Sequence, residues 1–163
     1  MAYGWVRVDR GTGLVLAQVV CLAVVWLWPA PALWDLPPWV VVACRTAIGA
    51  ALVLGLWGAG VLGRYLRIHP RPPQRAELRT DGAFRFVRHP IYAAVLLGSA
   101  AEAVLAARPE PVIGLVALVL VLHVKAGYEE ELLRDTFGAA YDSYASRVPR
   151  LVPWVASRRV FGR

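Results

Sequence analysis

The run WVVVACRTAIGAALVLGLWGAGVL, Trp39 to Leu62, decides the class of this chain. It is continuous, apolar and interrupted by one charge, Arg45, and it meets the roughly 20 residues needed to cross a hydrocarbon core. Three further apolar segments lie around it: Gly13–Trp28 before, and Ile91–Ala107 and Val112–Val124 after. They are shorter and reach a full span only if each extends by a turn into the interface. The chain as a whole is 58% hydrophobic, above the usage of about 45–50% in soluble domains. At 163 residues it is one domain.

Prolines divide the segments. Pro29, Pro31, Pro37 and Pro38 delimit the first connection, and Arg108-Pro109-Glu110-Pro111 makes a tight link between the last two segments. These two should therefore form an antiparallel helical hairpin. The expected fold is all-α and integral to the membrane: four transmembrane helices, the third and fourth paired, then a C-terminal cytoplasmic amphipathic helix. Leu133, Phe137, Tyr141, Tyr144 and Val148 mark that last helix, recurring at three- and four-residue intervals up to Pro149. Residues 1–63 carry the first two helices, and 64–163 a polar loop, the hairpin and the C-terminal helix.

The net charge of +7 arises from 18 basic against 11 acidic residues. In a four-helix topology every basic residue except Arg45 and Arg108 falls on one side: Arg7 and Arg10, the loop Arg64 to Arg88, and Lys125 onward. The positive-inside rule then puts both termini and the central loop in the cytoplasm. Trp26, Trp28, Trp34 and Trp39 gather at the opposite boundary, as an aromatic belt does. No aromatic and basic platform or recognition motif points to nucleic acid. Cys21 and Cys44 lie inside apolar runs and read as small buried hydrophobes, not metal ligands.

Two features look chemical and have bland explanations. Gly58-Ala59-Gly60-Val61-Leu62-Gly63 matches G-x-G-x-x-G, but it closes an apolar helix and follows no strand, so it reads as small residues for helix packing. Arg45 and Glu102 sit inside apolar segments, where pairing across helices or snorkelling accounts for them.

The polar residues at the other ends of the hairpin arms form a stronger signal. Thr80-Asp81-Gly82-Ala83-Phe84 reads as a turn, and Arg88-His89-Pro90 opens the third helix with proline in its first turn. Arg88 and His89 would lie beside free helix N-terminal N–H groups, which favour an anion. On the returning arm Lys125 and Glu129 share a face. A hairpin brings His89 and Glu129 together despite their separation in sequence. On residues alone, a set of interfacial anchors explains the cluster as well as a site does.

The ordered pattern from Thr80 to Tyr92, followed by Glu129-Glu130-Glu131-Leu132-Leu133, Phe137-Gly138, Tyr141, Tyr144 and Arg147-Val148-Pro149, resembles the isoprenylcysteine carboxyl methyltransferase family and its phospholipid N-methyltransferase relatives. The likeness covers about Leu78 to Pro153. It implies an integral-membrane enzyme that takes S-adenosylmethionine at the cytoplasmic face and methylates a lipophilic acceptor: a carboxylate, phenol, thiol or lipid amine. A composition rich in Arg, Ala and Val and poor in Lys suggests a bacterial source, and hence the inner membrane. Carried over by motif position, cofactor contacts fall on Leu78, Arg79, Phe84, His89, Pro90, Ile91, Tyr92, Glu129 and Glu130, with Lys125 on the substrate side and no metal. Phe84 stands where the family commonly has a hydroxylated aromatic, and Lys125 where its carboxyl methyltransferases have arginine. Two other readings compete, an NADPH-dependent sterol-type reductase and a non-enzymatic membrane scaffold.

Overall fold

The structure, a computed structural model, describes residues 10–63 and 78–152. Five α-helices follow one another: α1 Arg10–Trp26, α2 Pro38–Leu62, α3 Pro90–Leu105, α4 Pro109–Phe137 and α5 Ala139–Arg147, with a 3-10 turn at Gly82–Arg85. Helices α1 to α4 form an antiparallel bundle in which α2 packs on α3, and α1 on α4. Small residues set both contacts. A Cβ on Gly58 would lie 3.1 Å from Pro90, and one on Gly114 would lie 2.8 Å from Val24. The first glycine of the G-x-G-x-x-G match thus lets α2 touch the first turn of α3, while Gly60 faces open space.

The expectation of four transmembrane helices does not hold. Among the described residues two helices, α2 and α4, are long and apolar enough to cross a membrane, with mean hydropathies of 2.0 and 1.9. The apolar part of α1, Gly11–Trp26, and all of α3 are shorter. At 1.5 Å per residue, a helix of 16 residues such as α3 reaches about 24 Å, less than a core of about 30 Å. Proline fixes where α3 can begin, and Ala107, with φ of +48°, lies just past its end. No additional turn completes the span.

The bundle surface is apolar nonetheless. Leu52, Val53 and Leu56 on α2 and Ile113, Val116 and Leu120 on α4 are exposed, so both long helices carry large apolar side chains on their outer faces. The interior is small: Cys21, Leu118 and Leu122 form its centre, flanked by Tyr92, Val95 and Leu96. Cys44 is only half-buried. Arg45 and Glu102 make no ion pair with each other among the described residues. Arg7, Arg64, Arg67, Arg71, Arg75, Arg158, Arg159 and Arg163, which weighed in the charge asymmetry, lie outside the described residues.

The C-terminal amphipathic stretch is divided. Gly138, at φ +51°, ends α4 and starts α5, so Leu133 and Phe137 belong to the long helix and Tyr141 and Tyr144 to the short one. An L-residue with a side chain rarely takes that angle, so the break belongs to glycine. Tyr141 and Tyr144 are buried, and the Tyr144 hydroxyl donates to the Phe84 carbonyl at 2.7 Å. Helix α5 therefore closes the end of the bundle.

Candidate active site

The hairpin delivers the start of α3 to the polar end of α4. His89 is the N-cap of α3, with Pro90 behind it, and its ring is 8% exposed. Its Nδ1 lies 3.5 Å from Glu129 Oε2 and its Nε2 lies 3.3 Å from Glu130 Oε1. A neutral imidazole would turn a lone pair toward one of these carboxylates, whereas the imidazolium offers a donor to each. Burial alone lowers the basicity of the ring. Hydrogen bonds to Glu129 and Glu130 and their negative charges together outweigh it, so the His89 pKa is raised above 6.5.

The two adjacent glutamates occupy different environments. Glu130 is fully buried. Arg150 grips it with two bonds, Nε to Oε1 at 2.9 Å and a terminal nitrogen to Oε2 at 2.7 Å. Arg88 adds Nε at 3.0 Å and a terminal nitrogen at 2.9 Å, both to Oε1. Its other terminal nitrogen donates to the carbonyls of Ala145 and Val148 at 2.7 and 2.8 Å. Glu130 is thus the node that ties α3, α4 and the segment after α5. Glu129 keeps a side chain 20% exposed. The Tyr92 hydroxyl donates to its Oε1, and His89 Nδ1 stands within ion-pair distance of its Oε2.

Tyr92 stacks on His89, with ring centroids 5.3 Å apart and planes 3° from parallel. Lys125, almost completely buried, holds its Nζ 5.1 Å from the Tyr92 centroid and donates to Gln18 Oε1 at 2.9 Å. One polar file therefore runs from Gln18 through Lys125, Tyr92, Glu129 and His89 to Glu130. Of the residues singled out by motif, it unites His89, Tyr92, Lys125, Glu129 and Glu130. Pro90 is buried behind the file, and Ile91 is half-buried against the Gly58 position. Phe84 is 9% exposed within the 3-10 turn, and Leu78 and Arg79 lie half-buried in the stretch leading to it.

The backbone just ahead of α3 is also tied down. The amides of Arg88 and His89 donate to the carbonyls of Pro149 and Arg150 at 2.9 and 3.1 Å. The returning chain has already satisfied them, so neither is left for an anionic ligand. Arg150 and Gln18 were not foreseen. Arg150 follows Val148-Pro149 in a stretch read only as a helix end, and Gln18 is a lone amide in an apolar run. The signal available for Gln18 was that a polar residue within such a run needs a partner.

Because the folded pKa of His89 is raised, its charge contributes stability in full below pH 6.5, and that contribution disappears as pH climbs through the folded value. The unfolding temperature in detergent should decline across this interval for the wild type, with a flatter profile in His89→Gln. Parallel profiles for the two proteins would discard the bridging imidazolium.

No family model matches the chain. It is 34% identical over 86 residues to protein-S-isoprenylcysteine O-methyltransferase B of Arabidopsis thaliana, covering 52% of this chain and 44% of that protein. It is 27% identical over 168 residues to methanethiol S-methyltransferase of Pseudomonas deceptionensis, covering 90% of this chain and 60% of the relative. Against methanethiol S-methyltransferase 1 of Bradyrhizobium diazoefficiens it is 29% identical over 163 residues, covering 90% and 55%. The chain spans about half the length of the curated relatives it matches. At low identity and partial coverage, the similarity is to methyltransferases, and those named act on two acceptors, an isoprenylcysteine and a thiol. A specific assignment to the isoprenylcysteine enzymes does not follow.

Proposed function

We propose that this protein is a membrane-associated methyltransferase that binds S-adenosylmethionine beside His89 and Glu129 and methylates an anionic, lipophilic acceptor. The observation that carries the reading is the junction at 3.5 Å between His89, at the head of α3, and the partly exposed carboxylate of Glu129 on α4. A carboxylate whose side chain is 20% exposed fits the hydrogen-bond donors of the cofactor, its ribose hydroxyls or its ammonium group. Glu130 has no such capacity, since Arg88, Arg150 and His89 occupy its oxygens, so its part is to hold His89 and the chain in position. When bound, S-adenosylmethionine supplies an electrophilic methyl group on a sulfonium. The residues of the chain then bind, orient and exclude water, and positioning alone lowers such barriers substantially.

Lys125 directs the choice of acceptor. A buried ammonium with Gln18 as its neutral hydrogen-bond partner favours a neighbouring anion and repels a protonated amine. A carboxylate or thiolate therefore suits the site better than a lipid amine, and these are the acceptor types of the named relatives. Arg79, Arg85, Arg88, Arg134, Arg147 and Arg150 surround this end of the bundle, whereas Arg108 stands at the other, which supports a cytoplasmic orientation for the site.

Calorimetry on the detergent-solubilised protein with S-adenosylmethionine, S-adenosylhomocysteine and NADPH separates the competing readings. Both sulfur nucleotides should bind and NADPH should not. Binding of NADPH alone would establish the reductase, and no binding of any of the three would leave a scaffold.

A further inference from the structure

The end of the bundle remote from His89 contains a cavity of about 280 Å³, lined by Trp26, Trp28, Glu102, Leu105, Arg108 and Pro111 among others. Its walls are fixed in place. The Trp26 indole donates to Ser99 at 3.2 Å, the amide of Leu33 donates to the Ala107 carbonyl at 3.0 Å, and Arg108 reaches the Pro31 carbonyl. The connection after α1 is thereby pinned to the α3–α4 turn.

Two polar side chains on this cavity have capacity to spare. The Glu102 carboxylate makes no hydrogen bond or ion pair among the described residues, although it projects from an apolar helix. Arg108 binds Glu110 through Nε at 3.2 Å and a terminal nitrogen at 3.0 Å, and the Pro31 carbonyl through the other. A guanidinium carries five N–H donors, so two remain. We propose that this cavity holds the zwitterionic headgroup of an ammonium-bearing phospholipid, with Glu102 as counter-ion to the ammonium and Arg108 as donor to the phosphate.

The indoles of Trp26 and Trp28 complete the match, because aromatic faces attract ammonium groups and tolerate the glycerol and methylene parts of a headgroup. A metal ion is excluded by the donor set: hard cations take six or more oxygens, and no group of acidic or histidine ligands occurs among the described residues. The surroundings favour a lipid over a free amine. Leu27, Val104 and Val112 each adjoin a lining residue in sequence and are exposed, so acyl chains leaving the cavity meet apolar surface. This site is independent of the methyl-transfer reading and lies at the opposite end of the bundle.

Native mass spectrometry of the full chain in detergent tests it, with dihexanoyl phosphatidylethanolamine, dihexanoyl phosphatidylglycerol and free ethanolamine titrated separately. One phosphatidylethanolamine should bind per chain, and Glu102→Gln should weaken it by about tenfold or more while leaving phosphatidylglycerol binding unchanged. Trp28→Leu should weaken the same lipid without removing it. Equal affinity for the two phospholipids, or unchanged affinity in Glu102→Gln, would overturn the headgroup site. Free ethanolamine binding as tightly as the lipid would overturn the lipid as its occupant. Unaltered S-adenosylmethionine binding in Glu102→Gln would keep the result separate from the catalytic proposal.

Discussion

Glu129→Ala is expected to abolish S-adenosylmethionine binding while the protein still folds. Glu129 is the acidic residue of the file that retains exposure, and its Oε2 has the His89 Nδ1 only at 3.5 Å, the outer limit of a hydrogen bond. Each hydrogen bond to a charged group contributes about 1.5–3 kcal/mol, so losing two from ribose or ammonium donors weakens binding about a hundredfold or more. The fold should survive. Tyr92 loses its acceptor but adjoins a partly open site, and His89 keeps Glu130 at 3.3 Å. Equilibrium binding of labelled cofactor, with thermal unfolding measured in parallel, checks both halves. Cofactor affinity like that of the wild type would remove Glu129 from the site.

Glu130→Ala should behave in the opposite manner. Its carboxylate is buried and faces Arg88, Arg150 and His89 within 3.3 Å. Removing one member of a buried ion cluster leaves uncompensated charge, at a cost of about 3–5 kcal/mol. For a chain of this size that corresponds to a fall in unfolding temperature on the order of 10 °C. Glu130→Gln keeps an acceptor of similar shape but not the charge, and should lie between the alanine variant and the wild type. Should Glu130→Ala unfold at the wild-type temperature and lose only cofactor, the assignments of the two glutamates would have to be exchanged.

Much of the bundle was legible because period and composition act locally. The apolar runs at Trp39–Leu62 and Val112–Val124 became α2 and the centre of α4, and Arg108-Pro109 marked the turn between α3 and α4. The number of spans was misread because a short apolar run does not reveal where its helix stops. Residue 107 took a positive φ that alanine rarely adopts, a feature absent from any propensity scale. The meeting of His89 and Glu129 was legible because a hairpin with a tight link fixes which ends coincide. The division of labour between Glu129 and Glu130 was not. It depends on Arg150, which reaches the pair only after the chain reverses at Gly138 and passes along α5. Gln18 was hidden for a similar reason, since its partner Lys125 stands on a helix distant in sequence.

The hydrogen bonds from the amides of Arg88 and His89 to the carbonyls of Pro149 and Arg150 also set an order of events during biosynthesis. A nascent polypeptide that has not yet released residue 150 from the ribosome possesses the imidazole and both acidic groups, but not the strap that fastens them. Fastening of the polar file must therefore wait for that strap, which is translated only after the whole of α4.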